Sequence, residues 1–463
     1  MSKRRAGVLC HLTSLPGNLK FGDIGKDAYK FINFLSSCGF SVWQILPLGP
    51  THSDLSPYLS LSAHAGNPQL INLEWLCERG WLHIDELYEH NNSDWSHRLQ
   101  ILQLAYTRFI KDVDKDDALK FQLFLNKHHY WLEKYSLFMA LRDNFENQPW
   151  MKWPKPYRDC DSATLKSFCR NNPSAVHTFQ FQQFVFFTQW TELKRYANDK
   201  GVFIIGDMPI FVAQDSAEVW ANRKYFALDE TGYPEYVAGV PPDFFSKTGQ
   251  RWGNPHYRWE ELEKENFSWW VDRIRTSCEL YDAIRIDHFR GLVSYWEIPA
   301  CEETAENGRW VAAPGRQLLH ELSTTFPNLC LIAEDLGTIT PDVLELRDEF
   351  ALPGMHVLQF AFDGSDQNPY LPQNHLQNSL VYTATHDNDT TLGWYETLTD
   401  ETKQYIRQCI NYEAESMPWP IVNAALESKS QLAIIPMQDI LCLGKDNRMN
   451  TPGTAEGNWQ WRF

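Results

Sequence analysis

The sequence predicts a (β/α)8 barrel, the TIM-barrel form of the α/β class, with inserted, mainly helical subdomains. Three observations lead there. Eight short apolar runs recur along the 463 residues, many of them closed by polar residues, Gly or Pro. The runs are nearly continuous in apolar character and alternate with helical patterns, as parallel strands buried on both faces do. Charge gathers where the runs end, in RIDH, AED and THDN, and function in such a barrel collects at the C-terminal strand ends. A doubly wound open sheet is the alternative that shares the alternation.

In chain order, the first two runs are AGVLCHLTS and SVWQILPLGP. Far more chain follows than one helix needs. Residues 51–200 contain HHYWLEKYSLFMALRDNF and FQFQQFVFFTQWTELKRYANDK, and read as a helical insert after strand 2. The third run, GVFIIGDMPIFV, precedes a second insert at 213–281. Inside it, residues 240–259 are rich in Gly, Pro and aromatics, and their turn chemistry predicts a mobile loop. Then come DAIRIDHF, LCLIAEDLG, MHVLQFAFDG, LVYTATHDN and LAIIPMQDI, which complete one catalytic barrel over 1–463. Each barrel strand should be followed by a covering helix. After the eighth run the chain is full of Gly, Pro and Asn, so strand 8 is expected to expose more apolar surface than its neighbours.

Composition narrows the function classes. A hydrophobic share of 43% and a charged share of 22% are those of a soluble globular protein, and no apolar run is long enough to span a bilayer. The start, MSKRRAGVLCHLTSLPG, makes a poor secretory signal because Gly, His and Pro break its apolar stretch. Ten Cys without a CxxC pair suggest reduced thiols and a cytoplasmic protein. A net charge of −17 argues against nucleic acid as a partner. Aromatic residues reach 14%. Most serve the core, yet a polysaccharide enzyme would use some as stacking faces for sugar rings.

The chemistry concentrates in YDAIRIDHFRG. Side chains two apart on a strand share a face, so Ala283, Arg285 and Asp287 point one way and Ile284 and Ile286 the other. Burying charge is costly unless it is paired and used; a structural ion pair is the plain alternative. Asp287 ends strand 4, Glu334 ends strand 5 and Asp387 ends strand 7, so a barrel would turn all three towards one mouth. Glycosidic-bond cleavage needs two carboxyl groups of opposite protonation. Arg285 favours an ionised Asp287, which suits a nucleophile. The dry setting behind Ile332 and Ala333 would raise Glu334 and suit a general acid. His128 and His129 are adjacent and do not share a helical face, so no metal site is expected there. Cys10 and Cys330 read as small buried hydrophobes.

RIDHFRG, IAEDLG and THDNDTT resemble the catalytic motifs of the amylomaltase or disproportionating-enzyme family, the 4-α-glucanotransferases of glycoside hydrolase family 77. HLTSLPG, WQILPLGPT, SPY, AGNPQLINL, GDMPIFV, VPPDFFSKTGQRWGNPHY and RMNTPGT appear in that family's order, so the likeness spans nearly the whole chain. It implies a retaining double displacement on α-1,4-glucans and maltooligosaccharides of starch and glycogen metabolism, without metal or cofactor, by a monomer or homodimer. Asp287 matches the nucleophile, Glu334 the acid/base and Asp387 the third carboxylate. Arg285 and His386 match donors to the donor-side sugar, Tyr58 the aromatic platform under it, and Asp207 a carboxylate behind the nucleophile. Asp243, Phe244, Phe245, Gln250 and Trp252 match a loop arching over the acceptor side, and Asn450 a cleft-lining position. The sequence departs at Phe244, where the family often carries Tyr, and at Leu59, Leu61, His64 and Ala384. These departures bear on acceptor preference and product size. An α-amylase-like hydrolase would use the same covalent intermediate with water as acceptor. A non-catalytic glucan-binding barrel is the reading from another class, and retention of three carboxylates with Arg285 and His386 argues against it.

Overall fold

Eight parallel strands, here numbered in chain order, form the centre of the computed structural model, which describes residues 4–17, 21–88, 95–242, 246–410, 416–454 and 456–463. They are β1 (Arg5–Leu9), β2 (Val42–Gln44), β3 (Phe203–Pro209), β4 (Ala283–Asp287), β5 (Leu331–Ala333), β6 (Gly354–Val357), β7 (Ser379–Tyr382) and β8 (Leu432–Pro436). Each overlaps one of the eight apolar runs, with β1, β6 and β7 starting one residue before theirs. Their hydrogen-bonded order is β6-β7-β8-β1-β2-β3-β4-β5, all neighbours parallel. The β5/β6 seam closes through Ala333 N–H on the Pro353 carbonyl at 3.0 Å. Asp335 adds to the seam by accepting the Met355 N–H at 2.7 Å and pairing with Arg347 at 2.6 Å. Gly354 permits this approach, since a Cβ there would sit 2.4 Å from the Asp335 carboxylate. The predicted barrel is therefore the observed fold, and the open sheet is not.

One apolar cluster draws a residue from each strand: Leu9, Val42, Ile205, Ala283, Ile332, Met355, Leu380 and Leu432. This is the barrel interior. Ala283 belongs to it, so by the two-residue period Arg285 and Asp287 climb the same inner wall towards the C-terminal mouth. Ile284 and Ile286 pack outward into the larger core.

Between β2 and β3 the chain forms mostly helices, the longest being Trp95–Asp112, Lys115–Asn144 and Pro173–Asp199. Asp114 starts the second by accepting the N–H groups of Asp116 and Asp117, and Pro173 starts the third at a position where its missing N–H costs nothing. Two buried amides dock that third helix on the chain after β2. Gln183 both donates to and accepts from Gly66, and Gln189 does the same with Asn72. No helix among the described residues is long and apolar enough to cross a membrane.

Two expectations are corrected. The segment read as a loop over 240–259 contains a strand, Gln250–Pro255, paired with Tyr236–Val240 in an antiparallel sheet that Ser294–Pro299 and Arg309–Ala312 complete. Its Gly and Pro residues hid the period of a strand that pairs with Tyr236–Val240 just before it, and the register slips between Val237 and Gly239. Strand β8 is also buried at every residue, Leu432–Pro436, like its neighbours. The helix before it, Trp419–Glu427, covers Ala433 and Ile435 with Ile421, Val422 and Ala425. Trp461 and Phe463 then cross back to the helix after β1, Phe463 lying 6.3 Å from Phe31 and donating its N–H to the Ser14 carbonyl. The helix that covers β8 thus comes before it in the chain, not after it.

Candidate active site

The inner wall of β4 explains the first of the charged residues. Arg285 is buried, and its Nη1 meets both oxygens of Asp207 on β3, at 2.7 and 2.6 Å. The same nitrogen lies 3.1 Å from Asp287 Oδ1. One guanidinium thus serves two carboxylates, the deeper one fully enclosed. Tyr58 donates its phenol to Asp207 at 2.7 Å, which satisfies the second side of that carboxylate. Buried polar groups persist where each has such a partner.

Tyr58 carries its ring parallel to His386, with centroids 5.1 Å apart at 13°. His386 Nε2 sits 3.3 Å from Asp387 Oδ2. Asn450 donates to the other oxygen of Asp387 at 2.7 Å and its backbone N–H to the His386 carbonyl. Burial works to raise Asp387, but His386 and Asn450 outweigh it and hold the carboxyl down at about 2. His386 in turn is raised despite its burial, because Asp387 faces it.

Glu334 follows β5. Its Oε2 accepts the His288 N–H at 2.7 Å, and its own N–H donates to Ile286. Burial pushes Glu334 up to about 8, with Arg285 opposing and Asp287 reinforcing the rise. Asp287 is pushed up to about 6, first by burial, then by Asp207 and Asp387, while Arg285 pulls it down. Sequence reasoning expected Arg285 to favour the ionised form of Asp287, and it does pull the carboxyl down, but burial outweighs it. Arg285 is also shared with Asp207. The Asp287 side chain keeps 29% of its surface open, so solvent moderates the effect of burial.

Three carboxyl groups with graded proton affinity therefore gather at one mouth, near a donor pair of Arg285 and His386. Gln250 and Trp252 lie on the antiparallel hairpin. Trp252 Nε1 donates to the Gln250 side-chain Oε1 at 3.1 Å, and its ring meets His288 edge to face at 4.8 Å. Asp243, Phe244 and Phe245 lie outside the described residues. Of the departures, His64 is buried against the insert, stacked 5.8 Å from Trp131 with Nδ1 on Thr276 at 2.9 Å. Leu61 and Ala384 are buried and Leu59 is half-buried. Among the described residues no group of three His, Cys, Asp or Glu is placed to hold a metal.

Sequence reasoning missed Trp459, whose ring lies 5.7 Å from Tyr58 and 5.9 Å from His386. An aromatic in a terminal Gly-rich stretch carries no periodicity that could have flagged it. It also missed Asp335, although AED signals two adjacent acids that must face opposite ways.

Fold and site define a barrel protein with a carboxyl cluster at the C-terminal mouth. Residues 10–463 match the family model described as 4-alpha-glucanotransferase, and the chain belongs to that family. It is 46% identical over 473 residues to a 4-alpha-glucanotransferase of Thermus thermophilus, covering 99% of this chain and 95% of the relative. A chloroplastic/amyloplastic 4-alpha-glucanotransferase of Arabidopsis thaliana is 44% identical over 471 residues, with 100% and 82% covered. The solved amylomaltase of Streptococcus agalactiae in complex with acarbose superposes with a TM-score of 0.96 at 37% identity, covering 100% and 95%. The amylomaltase of Corynebacterium glutamicum shares the fold, with a TM-score of 0.81 at 19% identity over 98% of this chain and 71% of that one.

Proposed function

We propose that this chain is a 4-α-glucanotransferase that moves α-1,4-glucan segments between maltooligosaccharides through a covalent glycosyl-enzyme. The observation that carries the reading is the spread in proton affinity across one mouth: Asp387 at about 2, Asp287 at about 6 and Glu334 at about 8. Groups pushed apart in this way divide acid and base roles between them. Near neutral pH Asp287 is the carboxylate and Glu334 the acid.

In the first step the Asp287 carboxylate attacks the anomeric carbon, and the C1–O bond breaks as Glu334 gives its proton to the leaving glucan oxygen. Glu334, now a carboxylate beside Arg285, takes the proton from the 4-hydroxyl of an acceptor glucan. That oxygen attacks the same carbon and releases Asp287. Asp387, ionised and fixed by Asn450, grips sugar hydroxyls, while His386 and Arg285 donate to the donor-side sugar over the Tyr58 ring. Gln250 and Trp252 form the acceptor-side cover. No metal or cofactor takes part in these steps. Ten free cysteines suit a reducing cytoplasm.

Transfer requires that water, at about 55 M, lose to a positioned acceptor of high effective molarity. The test is maltotriose with product sizing and a reducing-end assay run together. Transfer yields glucose plus longer maltooligosaccharides at nearly constant total reducing ends. A steady rise in reducing ends without longer products makes the chain a hydrolase and overturns the reading.

A further inference from the structure

His288 follows Asp287 directly, yet the mechanism above gives its side chain no task. Three features of it are unusual together. Its backbone is left-handed, at φ 56° and ψ 50°, a conformation uncommon for a residue with a Cβ. That conformation turns its N–H towards Glu334 Oε2 at 2.7 Å. Its ring is wedged between Gly291, where a Cβ would come within 3.1 Å of His288 Cδ2, and Trp252, which stands on it edge to face at 4.8 Å. The ring's Nε2 is buried without a hydrogen-bond partner. A polar atom left unpaired and a strained backbone are both costs. Both are accounted for if the ring serves as a spacer that holds the N–H in place.

We propose that His288 is a positioning residue for Glu334, and that Trp252 braces its ring, so that the acceptor-side hairpin and the acid/base carboxyl are mechanically linked. The inference rests on the assignment of Glu334 as acid/base. Trp252 packs on the His288 ring and keeps the N–H aimed at the carboxylate. A donor on the carboxylate stabilises its charged form, the form that must exist when the acceptor hydroxyl gives up its proton. The hairpin would thereby favour the base form of Glu334.

Other groups facing Glu334 are Arg285 and Asp287 from β4, Asp335 beside it, Tyr382 from β7 and Tyr370 from the chain before β7. None of them touches Trp252 or the His288 ring in the contacts described. The N–H of His288 is among the influences that hold Glu334 down against its burial. Losing it raises the carboxyl further. Since Glu334 must start protonated, the high-pH limb of kcat/KM then moves to higher pH.

The test compares pH profiles of maltotriose disproportionation for the wild type, Trp252→Ala, Trp252→Phe and His288→Ala, with Glu334→Gln as reference. Wild-type kcat/KM should fall through a limb near 8. Trp252→Ala should move that limb up by about one pH unit, the size of one charge-assisted hydrogen bond lost, and lower kcat several-fold. Trp252→Phe, which keeps an aromatic edge, should restore the wild-type limb. His288→Ala, with a Cβ but no ring for the brace, should shift the limb in the same direction. If Trp252→Ala raises KM while the limb stays, Trp252 acts through sugar contact alone and the linkage is overturned; an unmoved limb in His288→Ala overturns it equally. Should His288→Ala not fold, the Trp252 pair decides. Full activity in Glu334→Gln would instead defeat the acid/base assignment, a separate outcome.

Discussion

The two sides of the mouth are built on opposite principles. On the side of the carboxyl cluster, proposed to hold the donor, the polar groups sit on strand ends or are fastened to them: Arg285 holds Asp207 and Asp287, Tyr58 holds Asp207, and Asn450 and His386 hold Asp387. On the side proposed for the acceptor, Gln250 and Trp252 belong to an antiparallel strand pair outside the barrel, with Gly249 and Gly253 at positive φ. The first arrangement suits charge that develops at one fixed point, where preorganised groups act without reorganising. The second suits partners of varying length. The difference teaches that in this fold electrostatic precision comes from strands and tolerance from an appended sheet.

The sharpest way to break the contrast is at the strand ends. Glu334→Gln should lower kcat/KM by about 10²–10⁴-fold, the range of a general acid, and Asp287→Asn at least as much. Both carboxyls are raised in the fold, so their charged forms are already disfavoured there, and the neutral amides should leave thermal unfolding close to wild type. Near-normal turnover in either variant would end the assignment of that residue.

The next effect is on stability. Asp207→Ala removes a fully enclosed partner from a buried Arg285, and breaking such a pair costs about 3–5 kcal/mol. Urea unfolding should show that loss, and an unchanged midpoint would mean that Asp287 alone satisfies the guanidinium. The smallest effect belongs to the hairpin. Gly249→Ala places a Cβ at φ 68°, 2.4 Å from the Val240 carbonyl, a backbone penalty of about 1 kcal/mol or more. It should raise the acceptor KM a few-fold while global stability, set in the barrel, barely moves. If Gly249→Ala instead unfolds the protein as Asp207→Ala does, the two sides are not independent and the contrast fails.

The carboxyl cluster was legible from local spacing, whereas Gln250 and Trp252 were reached only through the family resemblance and their strand was not foreseen, for a physical reason. Strand alternation places Arg285 and Asp287 on one face from local spacing alone, and polar residues closing an apolar run mark a barrel mouth. The strand Gln250–Pro255 is held by pairing with Tyr236–Val240 across a turn, and its Gly-rich composition carries no period-two pattern. The cover of β8 was missed likewise, since it is supplied by the preceding helix Trp419–Glu427 rather than by a helix after the strand. The raised proton affinity of Asp287 comes first from burial, then from Asp207, which also shares its arginine. Pairwise reading of RID could not include either.

The barrel is sealed where β1 meets β8, Arg5 beside Leu432 and Leu9 beside Pro436. Until Leu432–Pro436 exists, β1 has a bare edge, with unpaired N–H and C=O groups along an apolar strand. A nascent chain therefore waits through most of its own synthesis with its first strand half satisfied, a long-range closure of the slow kind. Chains interrupted before residue 432 should carry that edge permanently and associate through it.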